Sequence, residues 1–76
     1  MTVNIMLSSI NDVKSFVHLI SKYDCEIDLV SGRYVIDAKS IMGIFSIDLT
    51  KPITLQTNCE NEAKILEELS PFIVKE

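Results

Sequence analysis

The hydrophobic period of this chain switches repeatedly between that of a strand and that of a helix, and the order of those switches restricts the fold more than any other feature. Val3, Ile5 and Leu7 alternate with Thr2, Asn4 and Met6, which predicts a half-buried strand. From Ile10 the apolar positions fall at helical spacing, with Ile10, Val13, Phe16, Val17 and Ile20 on one face and Lys14, Ser15, His18 and Lys22 on the other. Ser9 is placed to cap this helix, and its spacing to Asp12 resembles a capping box that also puts a carboxylate at the positive end of the helix dipole. Alternation returns at Cys25–Leu29, with Ile27 and Leu29 inward. Ser31-Gly32 then reads as a tight turn into a strand over Arg33–Ile36. A short apolar helix follows, then a strand with Ile53 and Leu55 inward. Thr57–Glu60 fits a second capping box, before a helix whose stripe is Cys59, Ala63, Leu66, Leu69 and Ile73. Pro71 ends or kinks that helix at about Ser70. The order is β-α-β-β-α-β-α. A sheet with one polar face and one face under helices packs it most economically, an α+β two-layer domain.

Seventy-six residues make one domain, residues 1–76, with no room for a linker. Hydrophobic residues form 47% of the chain, enough for a packed core, yet the longest apolar runs are far short of the roughly 20 residues that span a bilayer. No basic and apolar leader opens the sequence, so a cytoplasmic protein without membrane insertion is expected. Eleven acidic against seven basic residues give a net charge of −4, which argues against nucleic acid as a partner, since binding it needs Lys and Arg to neutralise phosphates. Cys25 and Cys59 sit in no metal-ligand or C-x-x-C spacing and are expected to be reduced core residues. No metal site and no cofactor is implied.

The stretch from Asp37 to Asp48 is the most distinctive. A strand runs through Asp37-Ala38-Lys39 to Ser40, placed as a cap, and Ile41-Met42-Gly43-Ile44-Phe45 follows as barely more than one helical turn of apolar side chains. So short a helix cannot bury them all, and exposed apolar surface is usually a contact site. Ala38-Lys39-Ser40-Ile41-Met42-Gly43-Ile44 resembles the second helix of HPr, the histidine-containing phosphocarrier of the phosphoenolpyruvate-dependent sugar phosphotransferase system. The resemblance is ungapped from Cys25 to Gln56. It implies an open-faced β-sandwich, a four-stranded antiparallel sheet covered on one face by three helices.

The family's other motif, Gly-x-His-x-Arg-Pro-Ala at the start of the first helix, is missing. There a phosphohistidine is stabilised by free backbone N–H groups, the helix dipole and the arginine. Matching Phe16-Val17 to the family's helix puts Ser9 at the histidine position, Asn11 at the arginine and Asp12 at the proline. His18 lies more than two turns further on, on the polar face. Asp24, Glu26 and Asp28 read as solvated charge on a strand's outer face. No phosphate-cradling glycine loop or catalytic triad spacing is present, so no active site of the chain's own is expected.

Two readings follow. In the first, the chain is a binding or regulatory module presenting the Ser40–Phe45 surface. The resemblance then makes Ser40 a candidate for regulatory phosphorylation and Lys39, Ile41, Met42 and Phe45 candidates for partner contact. The implied partners are phosphotransferase components, a serine kinase or a transcriptional regulator of carbon catabolite control. In the second, it is a working phosphocarrier that transfers through an atypical residue such as His18.

Overall fold

The expected period changes are realised as seven elements in a computed structural model that describes residues 2–74. They are β1 (Thr2–Ile5), α1 (Ile10–Ile20), β2 (Ile27–Ser31), β3 (Tyr34–Asp37), α2 (Ile41–Phe45), β4 (Ile53–Thr57) and α3 (Glu62–Leu69). Among the described residues the strands form one sheet in the order β1-β4-β2-β3, antiparallel at every pairing. The register sorts side chains by face. Val3, Leu55, Leu29 and Ile36 stand in one row across the sheet, facing the helices. Thr2, Gln56, Asp28 and Asp37 form a row of the opposite, open face. Because side chains alternate along a strand, this division makes an open-faced sandwich with its core on one side.

The core joins Ile5, Ile27, Leu29, Ile53 and Leu55 of the strands to Val13, Phe16, Ile20, Ile44, Ile65 and Leu69 of the helices, all essentially inaccessible. The β2–β3 turn is Gly32-Arg33, one residue later than expected. Gly32 has φ 60° and no other described residue has positive φ, the pattern of a two-residue hairpin that needs glycine first.

Several expectations change. The first strand ends at Ile5, although Leu7 beyond it is still buried. Ile10 is 62% exposed rather than inward, at the rim of an open groove that it lines with Phe45 and Leu49. The second strand begins at Ile27, not Cys25. The last helix begins at Glu62 with Asn61 as a cap that makes no side-chain cap bond, so Thr57 caps nothing helical. Its hydroxyl instead accepts from Cys59 N (3.1 Å) and reaches the Glu26 carbonyl (3.0 Å), closing a local turn. Ala63 is exposed, and Ile65 with Leu69 carries the buried stripe. Ile73 lies past the helix and pairs with Ile5, flanked by Met6 N to Phe72 O (2.8 Å) and Val74 N to Asn4 O (2.9 Å). This segment covers the outer edge of β1, and Phe72 meets Phe16 edge-on at 6.1 Å.

The largest correction concerns the cysteines. Cys25 and Cys59 are joined as a disulfide with a Cα–Cα distance of 5.3 Å, 34 residues apart in sequence. The pairing of β2 with β4 sets Ile27 opposite Thr57, which brings the coil before β2 beside the coil before α3. Neither cysteine lies inside an element, and only that cross-strand register makes them neighbours.

Candidate functional site

The surface expected to carry function is that of α2, Ser40–Phe45, and the position matching the family histidine lies at the start of α1. Ser40 has extended backbone (φ −92°, ψ 103°), and its Oγ accepts from Gly43 N at 3.2 Å, satisfying one free donor of the first turn. A side chain at Gly43 would place its Cβ 3.2 Å from that same Oγ, so glycine keeps the cap uncrowded. Ile44 points into the core, and Ile41 packs half-buried against it. The rest of the helix turns outward: Met42 is 76% and Phe45 41% exposed. Spaced three apart, these two share one helical face. Phe45 also closes a groove of about 290 Å³ with Leu7, Ser9, Ile10 and Leu49. Ile10 and Leu49 were not among the expected contact residues. A leucine within the polar loop after α2 was the available signal.

At the start of α1, Ser9 Oγ accepts from Asp12 N at 3.1 Å. Asp12 Oδ2 turns back to accept from Ser8 N (3.1 Å) and Ser8 Oγ (2.8 Å). The reciprocal bond therefore goes to the residue before the cap rather than to the cap, and a carboxylate stands in the first turn. His18 is exposed in the last turn of α1, more than two turns from Ser9.

Lys39 is half-buried, and its ammonium reaches the backbone of the α1–β2 connection. Nζ donates to the Tyr23 carbonyl and to the Cys25 carbonyl (3.2 Å), while Lys39 N donates to Asp37 Oδ1 (2.9 Å). The residue before the cap is thus anchored at both ends, with its charge spent on carbonyls of the α1–β2 connection. Of the expected contact residues, Met42 and Phe45 share the open surface, Ile41 belongs mostly to the core, and Lys39 is an anchor.

Other polar groups are structural in geometry. Tyr23 OH donates to Glu68 Oε1 at 2.7 Å, and Lys22 pairs with the other oxygen, which ties the end of α1 to α3. Burial, then the Glu68 hydrogen bond, pushes the Tyr23 hydroxyl up to about 12. The Lys22 hydrogen bond, then that of Tyr23, holds the Glu68 carboxyl below the usual carboxylate range. Asp24 and Glu26 are exposed before β2 rather than on it, and Asp28 lies opposite Asp37. Among the described residues, no group of three His, Cys, Asp or Glu side chains is arranged to hold a metal, and no helix is long and apolar enough to cross a membrane.

A family model for the PTS HPr component phosphorylation site matches residues 12–75. Ser9 lies just outside the matched span. A search of curated proteins finds no match. Among solved structures, HPr (as HPr-C-His) from Thermoanaerobacter tengcongensis is 25% identical with TM-score 0.72, the alignment covering 93% of this chain and 85% of that one. The phosphocarrier protein HPr from Bacillus anthracis is 23% identical with TM-score 0.75, covering 97% and 96%. The Bacillus subtilis catabolite repression protein Crh, seen as a domain-swapped dimer, is 25% identical with TM-score 0.65, covering 87% and 78%.

Proposed function

This chain belongs to the HPr family of the phosphotransferase system, and from that premise we propose that it is a non-transferring, regulatory member acting in the cytoplasm through protein partners. The observation that carries the proposal is the start of α1. At the position that the family resemblance gives to histidine stands Ser9, whose hydroxyl is engaged as a cap, and Asp12 holds its carboxylate on the donors before it. A phosphoryl group there would meet the like charge of Asp12, and at the family's arginine position stands the uncharged Asn11. A serine ester would in any case pass its phosphoryl group on less readily than a phosphohistidine.

The working surface is then that of α2. Met42 and Phe45 offer exposed apolar contact, and the groove behind Phe45 extends it to Ile10. Ser40 is exposed at the head of this helix, whose first turn contains no acidic residue. Phosphorylation at Ser40 would add about −1.5 to −2 charge beside Met42, turning an apolar surface into one that selects an arginine next to an apolar pocket. The implied partners are a serine kinase, a transcriptional regulator and other phosphotransferase components.

Incubation with phosphoenolpyruvate, the general phosphotransferase enzyme and labelled phosphate tests this reading. The expected result is no acid-labile label on the protein. Label that disappears in His18→Ala would overturn the proposal in favour of transfer through that histidine.

A further inference from the structure

We infer that the Cys25–Cys59 disulfide is a reducible latch that sets the order of the start of α2. For its biological consequence, though not for its chemistry, this rests on the cytoplasmic, partner-binding role proposed above.

The bond stands where a thiol can reach it. It bridges two coil segments, and both cysteines line a cleft of about 490 Å³ together with Lys22, Tyr23, Asn58 and Glu60. Cys25 is half-exposed, whereas Cys59 is only 4% exposed. An incoming thiolate is therefore directed to the Cys25 sulfur, and Cys59 is the leaving group. Thr57 Oγ1 lies 2.8 Å from Cys59 Sγ, with its hydroxyl able to donate to that sulfur. In the oxidised protein the Glu26 carbonyl competes for the same hydrogen at 3.0 Å and is the better acceptor. A departing thiolate reverses that preference, because hydrogen bonds to charged acceptors are stronger. The structure thus holds a donor beside the leaving sulfur. A dithiol completes the exchange: its first sulfur bonds to Cys25 as the S–S bond breaks, and its second displaces Cys25 and closes a cyclic disulfide. Two electrons pass from the dithiol, and its two protons end on Cys25 and Cys59.

The coupling to α2 runs through Lys39. The connection from Tyr23 to Cys25 is held from one side by the bond to Cys59 and from the other by the Lys39 ammonium, which donates to the Tyr23 and Cys25 carbonyls. Lys39 directly precedes Ser40, the cap of α2. Opening the disulfide frees Cys25 on its Cys59 side, while Tyr23 stays held by its buried ring and its hydrogen bond to Glu68. Lys39 then keeps one fixed acceptor, the Tyr23 carbonyl, and loses the other, the Cys25 carbonyl, so the helix that presents Met42 and Phe45 begins from a less fixed point.

Dithiothreitol on the full-length protein, without denaturant, is the probe. Thiols are counted by alkylation and mass spectrometry, and amide hydrogen exchange is followed over residues 39–47. We expect no free thiol before treatment and two after it. Exchange in α2 should rise several-fold while α1 keeps its protection, and an oxidised dithiol should reverse both changes. Thr57→Val should slow reduction by about an order of magnitude, and Lys39→Met should reproduce the faster α2 exchange in the oxidised protein. Two free thiols at the outset, a bond that opens only in denaturant, or reduction with unchanged α2 exchange would each overturn the latch. Because α2 is read without any partner, failure of the partner-binding role would leave this result unaffected.

Discussion

The starts of α1 and α2 use the same local device in opposite electrostatic settings. Each is capped by a serine whose Oγ accepts from the backbone N–H three residues on, Asp12 in one case and Gly43 in the other. At α1 the first turn contains Asp12, whose carboxylate also occupies the donors of Ser8. At α2 the first turn has no acidic residue, and the glycine leaves the cap uncrowded. A serine cap is therefore not by itself a phosphate site. What distinguishes the two is whether the surrounding charge leaves the positive end of the helix available. On the function proposed above, that difference would close the family's carrier position in this chain and leave Ser40 open to a new charge.

The comparison is broken most sharply by asking which helix faces are structural. Phe16→Ala in α1 should cost roughly 3–5 kcal/mol and Ile44→Ala in α2 roughly 2–5, since both side chains are fully buried. Met42→Asp should stay within about 1 kcal/mol of wild type. Urea denaturation reads all three, and a Met42→Asp protein that unfolds would mean that α2 has no free face. The second effect is smaller and separates the two caps. Ser9→Ala and Ser40→Ala should each cost about 1 kcal/mol, but Ser40→Asp should be at least as stable as wild type. Ser9→Asp puts a second carboxylate near Asp12 and should fall below Ser40→Asp by roughly 0.5 kcal/mol. Equal stabilities would remove the electrostatic difference between the two starts.

The smallest effect lies at the far end of α1 and serves as its pH control. The Glu68 carboxyl is held below its ordinary range in the folded state, so its contribution is present above the unfolded carboxylate value and is lost as pH falls through the folded one. The Tyr23 hydroxyl is raised to about 12, so its contribution is complete below its ordinary value near 10 and is lost as pH rises from there to about 12. Glu68→Gln should flatten the acid limb of a stability–pH curve and Tyr23→Phe the alkaline limb. Limbs unchanged in both variants would show that the Tyr23–Glu68–Lys22 cluster does not tie α1 to α3.

Period and capping are local properties, and the residues that express them were readable without a structure. The alternation of Val3 with Ile5, the spacing of Val13, Phe16 and Ile20, and the serines before both helices fixed the number, type and order of the elements. The motif from Ala38 to Ile44 fixed the family. Tertiary structure decided whatever depends on which elements meet. The pairing of Ile27 with Thr57 made Cys25 and Cys59 partners, although nothing in their spacing said so. Ile10 is left exposed at the rim of a groove, although its helical phase pointed inward. The fold turned the Lys39 ammonium to carbonyls 14 and 16 residues earlier, making an anchor of what the motif offers as surface. Local backbone preferences act over a few residues and are written in consecutive positions, whereas register, edge cover and side-chain partners are set by contacts between distant segments that no short stretch of sequence contains.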